Sequence, residues 1–123
     1  MAYHITDQIA GNQAIADNST TKKHPLGTVV RAVDPTYGEG EFIYLKGVAS
    51  TTVGSIVEYD TSFQSGLETT ALNTPRPVAV AMSACVASEY GWYQISGEAI
   101  CSKSSAVSFA AGAGLGASSG LAV

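Results

Sequence analysis

The chain has 123 residues, 46% of them hydrophobic and 13% charged, with a formal net charge of −4. A domain of this size buries about two-thirds of its unfolded surface, so a core without metal or disulfide staples is within reach, and the apolar content excludes a charge-driven disordered chain. Six Lys and Arg are too few for a clustered nucleic-acid-binding surface, and no apolar run approaches the roughly 18 residues of a membrane span, so neither partner is expected.

Thirteen glycines and an aromatic set dominated by six tyrosines favour a β-rich, turn-rich fold over a helical one. Residues 1–26 stand apart. Their apolar members, Ile5, Ile9, Ala10, Ala14 and Ile15, follow neither a helical stripe nor strict alternation. A polar cluster from Asp17 to His24 and then Pro25 close the segment. Such a stretch cannot order itself alone, so it reads as an extended arm that docks on another surface, or as a tail in the isolated chain. Met1 to Gly11 lack an apolar core segment, which argues against a secretory signal.

From Leu26 onward the pattern becomes strands separated by turns. Thr28 to Asp34 alternates and stops at Asp34-Pro35, a turn signal. Gly38-Glu39-Gly40 forms a second turn before a strand over Glu41 to Ser50. There Phe42, Tyr44 and Val48 share one face and Ile43 and Leu45 the other, so both faces should be covered. A short strand is expected over Ser55 to Asp60, a loop over Ser62 to Ser65, another strand over Leu67 to Leu72, and a break at Asn73 to Pro77. Pro77 to Ala87 alternates large (Val78, Val80, Met82, Val86) with small (Ala79, Ala81, Ser83, Cys85) side chains. The spacing predicts one long strand whose small face admits a second layer closely. Trp92 to Ile100 and Val107 to Phe109 are the last predicted strands before the end region.

Residues 110–123 hold only Ala, Gly, Ser, Leu and Val. Gly112-x-x-Leu115 followed by Gly120-Leu121 repeats Gly54-x-x-Val57 followed by Gly66-Leu67, which predicts a terminal hairpin. Its missing next strand implies either completion by a neighbouring copy or a longer product.

No catalytic constellation emerges. Gly116-Ala117-Ser118-Ser119-Gly120 has the G-x-S-x-G form, but both histidines, His4 and His24, lie upstream. Gly112 to Ala117 has the form G-x-G-x-x-A without the helix and acid that a dinucleotide site requires. Asp34, Glu39 and Glu41 flank a turn and read as solvated acids rather than as a glycosidase or calcium set. No spacing supports a metal site, no cofactor is implied, and the chain is not expected to be an enzyme. Cys85 and Cys101 read as two free buried thiols, with a cross-strand bridge as the alternative. Trp92 and Tyr93 alternate onto opposite faces. They and Tyr37 read as core or inter-subunit aromatics, the competing use being a sugar-stacking platform of Trp92, Tyr90 and Tyr37.

Several stretches, taken in order, carry a resemblance. They are Pro25 to Asp34, Tyr37 to Gly47, Val53 to Val57, Pro77 to Met82 and Gly91 to Gly97. Together they resemble the capsid cement, or decoration, proteins of tailed-bacteriophage heads. The resemblance implies an all-β fold, a single β-sandwich or barrel-like domain over 27–123 with an extended N-terminal arm over 1–26. It implies a structural virion protein on the capsid exterior, made in the host cytoplasm. Such a protein sits where major capsid protein subunits meet and stabilises the head against packaged DNA. Implied partners are the major capsid protein and neighbouring copies of the chain. On this reading Ile5, Ile9 and Ile15 are anchors of the arm, and Lys22, Lys23 and Arg31 contact acidic capsid patches. Residues 27–101 hold three basic and eight acidic residues, a balance suited to a surface kept away from DNA. The alternatives are a head-fibre base or tail-associated β domain, and a carbohydrate-binding module.

Overall fold

A computed structural model describes residues 3–7, 13–67, 76–105, 108, 110–112, 117–118 and 120–122. The fold is all-β. Among the described residues eight strands form one sheet: β1 (His4–Ile5), β2 (Asn18–Ser19), β3 (Val29–Asp34), β4 (Gly38–Lys46), β5 (Ile56–Tyr59), β6 (Ser65–Leu67), β7 (Val78–Ala81) and β8 (Tyr90–Ser96). A separate hairpin joins β9 (Ala117–Ser118) to β10 (Leu121–Ala122).

The β3–β4 hairpin follows from its turn chemistry. Asp34 Oδ2 accepts the backbone N–H groups of Thr36 (2.8 Å) and Tyr37 (2.9 Å). Gly38 then adopts φ 76°, the left-handed residue that closes a three-residue hairpin loop. Strand β4 pairs β3 on one side and β8 on the other. Its Phe42, Ile43, Tyr44 and Leu45 are all buried, because both faces of the sheet are covered here.

The sheet runs β1-β3-β4-β8-β7-β5-β6 with antiparallel neighbours. Its far end curls back: Lys46 at the end of β4 bridges Gln64 beside β6, and the Lys46 N–H donates to Phe63 O at 3.0 Å. Strands β4, β8, β7, β5 and β6 thereby wrap into a small barrel. Ile43, Leu45, Val57, Ala79, Ala81, Cys85 and Tyr93 fill it, with Tyr59, Phe63, Leu67 and Ile95 packed against them. A second core lies on the outside of β3, β4 and β8. It holds Val30, Ala32, Phe42, Tyr44 and Trp92 under a lid of Tyr3, Ile15 and Met82.

That lid corrects the expected domain plan. The described parts of residues 1–26 are no free arm. Strand β1 pairs β3, and β2 pairs the stretch of β8 at Tyr90 and Gly91. The reason is the apolar outer face of β4 and β8, which must be covered by something. The predicted strand over Pro77 to Ala87 is likewise shorter. Its neighbour β5 runs out at Ile56, pairing ends at Ala81, and the chain bends at Met82 and Ser83. The small side chains Ala79, Ala81 and Cys85 line the barrel as predicted for a closely packed face, whereas Val78 and Val86 are exposed. The predicted strand over Val107 to Phe109 falls largely outside the described residues.

At the other end, the Ala122 N–H donates to Ser102 O (2.9 Å) and the Ser104 N–H to Ala122 O (3.0 Å). The Ile56 N–H donates to Gly120 O (2.7 Å). Strand β10 is thus hydrogen-bonded to its own domain rather than open to a neighbouring copy.

Candidate functional site

Among the described residues a dense set of buried polar side chains lies where the N-terminal segment crosses β4 and β8. Gln13 is its centre. The Gln13 N–H donates to His24 Nε2 (3.0 Å), and the Gln13 carbonyl accepts from Trp92 Nε1–H (2.8 Å). Its side-chain Oε1 accepts from the Tyr44 hydroxyl (2.7 Å), while Nε2 donates to Asp17 O (2.8 Å) and Tyr90 O (3.1 Å). The Lys23 N–H completes the set by donating to the Tyr44 hydroxyl (3.2 Å). The His24 ring stands edge-on to Tyr44 at 5.1 Å and tilted over Trp92 at 5.3 Å. With Nε2 accepting a hydrogen bond, the imidazole is neutral and carries its proton on Nδ1. Burial lowers its proton affinity, and the neighbouring Lys23 charge lowers it further. Burial also raises the Tyr44 phenol. This cluster is built to hold two segments together, since its donors and acceptors are spent on each other.

The structure distributes the sequence-predicted residues as follows. Ile15 is buried in the outer core and Ile5 packs against it half-buried, so neither is a free anchor. Ile9 lies outside the described residues. Lys22 and Lys23 are exposed. Arg31 is exposed on β3 and pairs with Asp7, whose Oδ1 lies 3.4 Å from Nε. Asp7 Oδ2 also accepts the Arg31 N–H at 2.8 Å, which fastens the N-terminal segment beside β1. Tyr37 is half-buried against the outer core. Trp92 and Tyr93 do occupy opposite faces, but both are fully buried, because the barrel covers one face and the N-terminal segment the other. Neither can act as a sugar platform or touch another subunit in this fold.

Inside the barrel, the Tyr93 hydroxyl lies near the Cys85 thiol and Ser65 without a closed hydrogen bond, and Ser65 Oγ–H donates instead to Lys46 O (2.7 Å). Burial raises both Tyr93 and Cys85, which leaves the thiol protonated and inert. Cys101 is half-buried, and both thiols are free. Among the described residues no group of three or more His, Cys, Asp or Glu side chains converges for a metal. Several surface grooves lie among the described residues. One of about 490 Å³ is lined by Tyr3, Ala14, Ile15, Val53 and Met82. A smaller polar one of about 190 Å³ lies among Arg31, Glu39, Glu41 and Ser96.

Sequence reasoning missed Gln13 and His24. Each is a lone polar residue in a segment without periodicity, and only the three-dimensional partners reveal its role. Comparison with protein-family models, curated proteins and solved structures finds no match for this chain.

Proposed function

We propose that this chain is a structural virion protein that binds the outer surface of a mature phage capsid where major capsid protein subunits meet. In that position it stabilises the head against the pressure of packaged DNA. One observation carries the reading. The stretches that resemble capsid cement proteins fall, in order, on β3, β4, β5, β7 and β8 or their approaches. The likeness therefore concerns the scaffold itself and not a borrowed loop. The surface is compatible with a piece seated between neighbours. On β3, Val29 and Val33 are 48% and 37% exposed and flank Arg31 on one face. Val53, Val78 and Ile100 are exposed elsewhere. Valines left wet on a regular strand gain from burial against a partner by about 25 cal/mol per Å² of apolar surface covered. Attachment on this reading uses the sheet surface and Lys22, Lys23 and Arg31, since Ile15 is committed to the core.

The test is co-sedimentation of the purified chain with mature, undecorated heads of the phage that encodes it, with bound copies counted by gel densitometry. Saturation at hundreds of copies in a fixed ratio to the major capsid protein is expected. A few copies per head would instead indicate a fibre base. No pelleting with heads would overturn capsid binding outright. The Val29→Asp, Val33→Asp double variant should lower occupancy while keeping the far-UV spectrum of the wild type.

A further inference from the structure

We propose that His24 is an acid-sensitive latch: its neutral imidazole holds the described parts of the N-terminal segment, residues 3–7 and 13–24, against the sheet, and its protonation releases them while the barrel stays folded. The inference is independent of what the domain binds. Its basis is the single hydrogen bond in which a buried ring nitrogen accepts the Gln13 backbone N–H. A protonated ring has no lone pair to offer there and would point its own N–H at another N–H. The loss propagates because Gln13 is also the partner of Trp92 Nε1, the Tyr44 hydroxyl and Tyr90 O. Moving its backbone uncouples all three.

Among the described residues the surroundings offer the imidazolium no compensation. From its own segment Lys23 is a like charge that acts against protonation. From β4 and β8 the ring meets Tyr44 and Trp92, and Tyr90 stacks on Tyr44 at 6.4 Å. The phenols stay neutral throughout the acid range. Asp17, on the turn that carries Gln13, is exposed and contributes its backbone carbonyl rather than its carboxylate. The barrel has its own core and its own ladder, closed by the Lys46–Gln64 bridge, so it does not depend on the latch.

The sign follows from linkage. The released segment binds a proton at the ordinary histidine value of about 6.5, and the docked one binds it less readily. Docking is therefore fully supported above that pH and weakens as pH falls below it, by up to about tenfold in the docked-to-released ratio per pH unit.

Trp92 is the only tryptophan and lies under the latch, so its emission reads release directly. Wild type is titrated from pH 8 to 4.5 with emission and far-UV circular dichroism recorded together. The expected result is a red shift below pH 6.5 with the β signal kept. His24→Gln, which offers an acceptor that does not titrate, should remove the shift, and His4→Gln should leave it. Flat emission to pH 4.5, an unchanged midpoint in His24→Gln, or loss of the β signal in step with the emission would each overturn the proposal. Should His24→Gln not fold, wild type decides by proton NMR of its two imidazoles. A titrating His24 that tracks the emission supports the latch, and an emission change that tracks neither histidine overturns it.

Discussion

Replacing Gln13 by alanine isolates what the side-chain half of the buried cluster contributes. The backbone bonds to His24 and Trp92 are retained, and three side-chain bonds disappear. The Tyr44 O–H then has no acceptor in a buried site, which costs about 1–3 kcal/mol. Losing the two bonds from Nε2 adds about 0.5–1.5 kcal/mol each, less where water reaches the freed carbonyls. The expected destabilisation is about 2–6 kcal/mol, a large share of the roughly 5–15 kcal/mol that holds a domain together. With a urea m-value of about 2 kcal/mol/M, the midpoint should fall by roughly 1–3 M. Urea titration at pH 7.5, followed by Trp92 emission and by far-UV circular dichroism, measures it. Tyr44→Phe removes the same bond from the other side, so the double variant should show a coupling of about 0.5–3 kcal/mol. A Gln13→Ala variant within 0.5 kcal/mol of wild type, or a coupling near zero, would refute the assignment of Gln13 as the fastening residue.

Two further outcomes follow from the packing. A Cβ at Gly47 would collide with the backbone carbonyls of Cys85 and Val86, which cannot swing aside as a side chain can. Gly47→Ala should therefore cost at least about 2 kcal/mol, against about 1 kcal/mol for Gly38→Ala, where the space is open and only the positive φ resists; thermal melts of the pair check the order. In the native protein a thiol reagent should modify half-buried Cys101 well before Cys85, which sits inside the barrel. The fast phase should vanish in Cys101→Ala, and equal rates for the two thiols would refute the burial of Cys85.

The strands of the barrel and of the β3–β4 hairpin were legible because their side chains carry the period of two and their turns carry the chemistry. Asp34 ahead of Gly38 announces one reversal, and the doubly apolar run Phe42 to Leu45 announces a strand buried on both sides. The end of β7 was not legible. Alternation persists to Ala87, but a strand lasts only as long as its neighbours, and the ladder to β5 stops at Ile56. The N-terminal segment was misread for a related reason. Tyr3, Ile5, Ile15 and Leu26 supply its described apolar contacts to the core, and much of the rest of its attachment is polar. Polar attachment leaves no periodic trace, because Gln13 and His24 are defined by partners 31 and 79 positions away and by each other.

The integration of that segment changes how capsid attachment should be tested. Deleting residues 1–24 would strip Tyr3 and Ile15 from the outer core, each worth about 1.5–3 kcal/mol, and leave Tyr44 and Trp92 without Gln13. That loss falls on the outer core, while the barrel keeps its own core and ladder. The truncated chain should therefore keep its barrel but bare the apolar outer face of β3, β4 and β8, so a failure to decorate heads would not separate a lost arm from a damaged outer core. Lys22 and Lys23 offer the cleaner perturbation, since both are exposed and only the backbone N–H of Lys23 enters the cluster. Reversing both charges (Lys22→Glu, Lys23→Glu) should leave the melting temperature at pH 8 close to wild type, because His24 is neutral there whichever charge stands beside it. If the two lysines meet acidic capsid patches, half-saturation of heads should shift to higher concentration. The remaining binding should also depend less steeply on salt than wild type. A variant that saturates heads at the wild-type concentration, with the wild-type salt dependence, would remove both lysines from the contact.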